Sequence, residues 1–160
     1  MLTARLIQLI ETHSEAITRD AMAAIATDPR TRSFARLHQS EIESRVSALY
    51  HNLGKWISGP NDEAVRNEYE AWGRKRFRQG IPLSEIVYSL VLTKGHLRRY
   101  IRDHGLLEFP GDHVAAGELL PVELYAIQEL NYRVGEFFDM ALYYLVRGYE
   151  AEAAIHKAAA

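Results

Sequence analysis

Five polar side chains, His13, Asp20, Arg76, Lys94 and Asn131, fall where helical spacing surrounds them with apolar neighbours. Burying an unpaired charge is costly, so each needs a partner. Two readings stand. In the first, the five satisfy one another, or the long stems of Arg76 and Lys94 carry their charges to the surface. In the second, Lys94, Arg76, His13 and Asn131 line a polar pocket between helices that takes a small anionic or polar ligand. Lys94 would then act as a point-charge donor to a carboxylate or phosphate.

The other residues able to do chemistry form no constellation. The seven histidines show no HxxxH or HExxH spacing. Only His13 is centred on an apolar stripe, where a globin-like or bundle sensor would hold haem; His96 lies off the stripe beside Lys94, Arg98 and Arg99. Glu68, Glu70 and Glu85 read as solvent-face or first-turn acids. A glycine-rich phosphate loop and a GxSxG elbow are absent. The expectation is therefore no enzyme, no metal and no cofactor.

Composition narrows the classes further. The 160 residues are 48% hydrophobic, enough for a real core in one domain. Nineteen basic residues against 21 acidic ones give a net charge of −2, which offers no footprint for nucleic acid. The absence of cysteine excludes disulfides and thiolate chemistry. The N-terminus lacks a signal-peptide pattern, and no window approaches the roughly 18 apolar residues of a membrane span. A cytoplasmic setting without membrane contact is expected.

Periodicity supplies the elements that hold these residues. Leu2, Leu6, Leu9, Ile10, Ile17, Ala21 and Ala24 predict one helix from Leu2 to Ile25, closed by Asp28-Pro29. Arg30 to Gln39 breaks the period and reads as a connector. Ser40 and Glu43 suggest a capping box for a helix running to Ile57. The Ser58-Gly59-Pro60-Asn61 turn leads to a third helix, capped by Asn61 or Asp62 and ended by Gly80. A fourth follows Pro82, with stripe Leu83, Ile86, Val87, Leu90, Lys94, Leu97 and Ile101, and stops at His104-Gly105. Leu106 to Gly117 reads as a loop. A fifth helix begins between Glu118 and Val122 and runs to about Glu152, roughly 50 Å. The fold class is all-α: an antiparallel bundle of about five helices with a long C-terminal helix, in one domain spanning residues 1–160. The tail, residues 150–160, is expected to fray or to lead into an output domain.

The fifth helix carries apolar residues on two sides. Leu120, Leu124, Ile127, Leu130, Val134, Phe137, Phe138, Ala141, Leu142 and Leu145 make one face; Tyr125, Tyr132, Met140, Tyr143 and Val146 lie opposite. Tyr88, Leu92 and Gly95 sit similarly behind the main stripe of the fourth helix. A helix apolar on both sides is central to a large core or packs against a second chain. The second option makes Tyr88, Leu92, Gly95, Tyr125, Tyr132 and Tyr143 a homodimer interface.

Two runs carry a family likeness. Tyr69, Gly73, Arg76 and Gly80-Ile81-Pro82-Leu83-Ser84-Glu85-Ile86-Val87, followed by Lys94, form the first. Phe137-Phe138-Asp139 through Arg147-Gly148-Tyr149-Glu150 forms the second. Over roughly residues 35–150 the chain resembles the helical N-terminal domains of RsbR-type RsbT co-antagonists and related bacterial sensor histidine kinases. The resemblance implies a non-catalytic sensory or regulatory input domain in bacterial stress-response signalling. It also implies a bundle, often dimeric, that biases a kinase or an anti-sigma type regulator. It assigns no ligand contact to any residue here. After Tyr149 only EAEAAIHKAAA follows, without a kinase or STAS output domain, so a stand-alone version or an excised input domain is expected.

Overall fold

The computed structural model describes residues 2–59, 62–104 and 120–160. Among them are seven α-helices and one 3-10 helix: α1 (Leu2–Thr12), α2 (Ser14–Thr27), the 3-10 helix (Pro29–Arg36), α3 (Gln39–His51), α4 (Leu53–Ile57), α5 (Asp62–Arg78), α6 (Leu83–His104) and α7 (Leu120–Ala159). The described residues contain no strand. The architecture is the all-α bundle with a long C-terminal helix that the apolar spacing predicts. The Pro60-Asn61 turn, the Asn61 cap and the Leu106–Gly117 loop lie outside the described residues.

Two helices expected to be continuous are divided. The first breaks at His13 (φ −98°, ψ 16°), where the ring Nδ1 lies 2.9 Å from the Leu9 carbonyl. The second breaks at Asn52 (φ −110°, ψ 26°), whose side-chain amide donates to the Ala48 carbonyl at 2.9 Å. The Ser40–Glu43 capping box does not form, because α3 already starts at Gln39 and its cap residue, His38, makes no side-chain bond. The connector contains the 3-10 helix, which buries Phe34. α7 extends past the expected Glu152 end to Ala159, about 60 Å in all. No described helix is long and apolar enough to cross a membrane.

The core runs from Leu6, Ile10 and Ile17 through Tyr50, Leu53 and Leu97 to Leu130, Val134 and Ala141. Its tightest seam joins α5 and α7. A Cβ on Gly73 would lie 2.0 Å from the Leu145 carbonyl oxygen, and one on Gly148 would lie 2.1 Å from that of Glu70. The helices thus meet backbone to backbone. Contacts advance together along both: Gly73 meets Tyr149, Arg78 pairs with Glu152, and Phe77 meets His156. α5 and α7 therefore run in the same direction, as an up-down-up succession with α6 requires.

At the α5–α6 turn, Gly80 takes φ 70°, the left-handed cap expected of it. Its N–H donates to the Phe77 carbonyl at 2.9 Å, and the Ile81 N–H to that of Arg76 at 3.2 Å. The Tyr149 hydroxyl, from α7, donates to the Ile81 carbonyl at 3.0 Å. Glu85 is not a bare first-turn acid. Its carboxylate accepts from the Ser33 N–H at 2.7 Å and the Ser33 hydroxyl at 2.9 Å, tying α6 to the 3-10 helix.

A candidate ligand cavity and an exposed helix face

Side chains from α2 through α7 line a half-open cavity of about 300 Å³. The amphipathic α3 turns Ile42, Val46 and Leu49 toward it; α5 brings Tyr69, Trp72 and Arg76, spaced three and four residues apart on one face; α6 closes it with Ile86, Ser89, Leu90 and Thr93. Trp56 stacks on Phe137 with ring centroids 5.7 Å apart, and Tyr69 meets Phe137 edge-on at 5.9 Å. Asn52 and Lys55, both exposed, stand on the rim.

Two guanidinium groups dominate the electrostatics. Arg45 lies 3.3 Å from the centroid of the Trp72 ring and Arg76 lies 4.7 Å from it, both cation–π contacts. Arg45 Nη1 donates to Glu68. Arg76, only 5% exposed, donates through Nη1 to Glu41 and to Gln79, each at 2.7 Å. Among the described residues, nothing accepts from Nε or Nη2 of either arginine. Burial pulls both guanidinium pKa values down, and the neighbouring carboxylates only partly restore them. The Tyr69 hydroxyl, pushed up by burial, hydrogen-bonds to no other described residue.

Of the residues expected to form a pocket, only Arg76 lines this one. Lys94 faces outward and donates to Asp139 of α7 at 3.2 Å; its side chain is 27% exposed and that of Asp139 75%. Asp20, expected on a buried stripe, is exposed, because α2 turns that side to solvent. His13 is half-buried, with its ring 6.0 Å from Tyr100. Asn131 Oδ1 is buried without a hydrogen-bond partner among the described residues. Among the described residues, no histidine lines the cavity, and no cluster of three or more His, Asp or Glu is placed to hold a metal. Arg45 was not among the residues expected to form the site. Its signal is a cation directly before the core residue Val46, with Trp72 and Arg76 at helical i, i+4 spacing on the opposing helix.

The second feature is the outer face of α7. Val122, Tyr125, Tyr132, Met140 and Tyr143 are 50%, 67%, 66%, 39% and 52% exposed. Their spacing puts them on one stripe, turned away from the core residues Ala126, Leu130, Val134, Phe137 and Ala141. Leu124, grouped by spacing with Leu130, Val134 and Phe137, is 49% exposed, because it lies to the side of the stripe that meets the bundle. On α6, Gly95 is exposed with open space around it, and Val91 beside it is 48% exposed. Leu92 packs partly against the core, and Tyr88 lies under the Arg30 guanidinium at 4.1 Å.

The described residues thus form an all-α bundle with a glycine-sealed pair of helices, an anchored Gly-Ile-Pro turn and one outsized terminal helix. Residues 15–154 match the family described as the RsbT co-antagonist protein rsbRD N-terminal domain. The chain belongs to that family, a group of signalling regulators. Searches of curated proteins and of solved structures returned no match.

Proposed function

We propose that this chain is a non-catalytic, cytoplasmic input domain that works as a homodimer. Pairing occurs through the outer face of α7, extended by Val91 and Gly95 of α6, and the signal passes to a kinase or an anti-sigma type regulator. Family membership supports the regulatory role. The observation that carries the mode of action is the exposed stripe Val122, Tyr125, Tyr132, Met140 and Tyr143. Tyrosines there combine large contact area with a polar tip that tolerates water when the face is open.

A second copy of the same chain fits this stripe. Glu129 and Glu136 interleave with the apolar positions, while Arg133 and Arg147 flank them. Both signs on one face make the surface self-complementary, as a two-fold interface requires. Regulation would then be a shift between two packings of α6 and α7, with the signal binding one better than the other.

Sedimentation equilibrium tests the pairing. The wild-type chain is expected to be a dimer and Tyr132→Glu a monomer with unchanged helix content. A wild-type monomer at high concentration would refute the homodimer.

A further inference from the structure

The cavity between α3, α5 and α6 holds features that packing alone does not use. Arg76 is buried, yet its Nε and Nη2 donors reach no described acceptor. Arg45, stacked on the same indole and partly exposed, likewise has Nε and Nη2 without a described acceptor. Tyr69 is 6% exposed and its hydroxyl has no described partner. Donors with hydrogen-bonding capacity to spare thus converge on one cavity from two helices, an arrangement suited to an acceptor group. The rest of the wall is apolar or aromatic: Phe34, Ile42, Val46, Leu49, Trp56 and Leu90. A ligand therefore needs an apolar body as well as an acceptor. Glu68 stands in the same wall and repels a dianion more strongly than a monoanion.

We infer that this cavity binds a small monocarboxylate with an aromatic or short aliphatic body. The carboxylate accepts from Arg76 and Arg45, with the Tyr69 hydroxyl as a third donor, and the body lies against Trp56 and the aliphatic residues of α3 and α6. Planar guanidinium groups suit a planar carboxylate. Two of the walls, α5 and α6, are helices that seat α7, so occupancy would bear on the packing that the regulatory reading invokes. The inference deepens that reading, but binding itself is independent of dimer formation.

The molecule carries its own reporter, since its only two tryptophans, Trp56 and Trp72, both line the cavity. The experiment titrates the full chain with 4-phenylbutyrate, 4-phenylbutanol and 4-phenylbutylamine, following tryptophan emission and heat of binding. The carboxylate is expected to bind saturably, at least about tenfold more tightly than the alcohol, with the amine weakest. Arg76→Met should reduce the carboxylate to the affinity of the alcohol. Ser89→Phe, which fills the cavity while keeping both arginines, should abolish binding of both, with circular dichroism verifying each fold. Equal affinity for the three compounds, preference for the amine, no saturable binding by any, or full binding by Ser89→Phe would each overturn the inference. If Arg76→Met fails to fold, the wild-type series and Ser89→Phe decide. A monomeric protein that prefers the carboxylate would sink the dimer and leave the cavity; a dimer without that preference would do the reverse.

Discussion

Arg76 and Lys94 are both cations on apolar helical stripes, and the fold treats them in opposite ways. Lys94 lies where α6 meets α7 near the surface, and its stem reaches Asp139 in partial solvent. Exposed pairs contribute little, so Lys94→Met should change stability by less than about 1 kcal/mol in urea titration. Arg76 cannot reach solvent and is held by Glu41, Gln79 and the Trp72 ring. Its replacement by methionine should cost about 2 kcal/mol, most of it in charge-assisted hydrogen bonds. Glu41 adds a pH signature. Burial raises its pKa, but hydrogen bonds from Lys75 and Gln79 and the charge of Arg76 outweigh this, leaving it below the ordinary 4.5. Glu152 is lowered too, chiefly by its hydrogen bond from Arg78. A carboxyl depressed in the folded state stabilises fully above its unfolded pKa and loses that contribution as pH falls through the folded one. The melting temperature should therefore start to drop below about pH 4.5, and less steeply in Glu41→Gln. A flat profile down to about pH 3 would contradict this.

At the scale of elements, the two runs that carry the family likeness turn out to touch. Gly73 and Gly148 face one another's helices, Tyr149 anchors the turn after Gly80, and Glu85 holds the 3-10 helix. These residues build the frame rather than a site. Gly73→Ala or Gly148→Ala places a methyl against a backbone carbonyl, so each should cost 3 kcal/mol or more by the usual scale of overpacking, ~1–3 and occasionally beyond. Gly135→Ala, with nothing near its Cβ, should instead gain up to about 1 kcal/mol from helix propensity. Thermal melts of the three variants give the comparison. The sequence shows the ends of α5 and α6 well because Gly80 and Pro82 dictate backbone geometry directly. It hides the breaks at His13 and Asn52, because the N–H of each still bonds to the carbonyl four residues back, at 3.0 and 3.1 Å. The apolar phase therefore continues through the break, and periodicity registers no boundary. Of the four residues expected around a pocket only Arg76, which stands out against its stripe, lines the cavity, whereas Arg45 belongs to an ordinary polar run until tertiary packing sets it over Trp72.

For the whole molecule, the double apolar character of α7 was readable from spacing alone. What spacing could not separate was a large core from a paired surface, since both bury the same residue types. Within one chain the fold leaves Tyr125, Tyr132 and Tyr143 open. Tyr132 lies at the middle of the stripe between Val122 and Tyr143, so it meets its own counterpart whether the two α7 helices pair parallel or antiparallel about that centre. The natural chain has no cysteine, which makes a single introduced thiol a clean probe. Under mild oxidation, Tyr132→Cys is expected to give a disulfide-linked dimer rapidly, while Ser44→Cys, exposed on α3, stays monomeric on a non-reducing gel. Equal cross-linking of the two variants, or none from Tyr132→Cys, would contradict pairing through the outer face of α7.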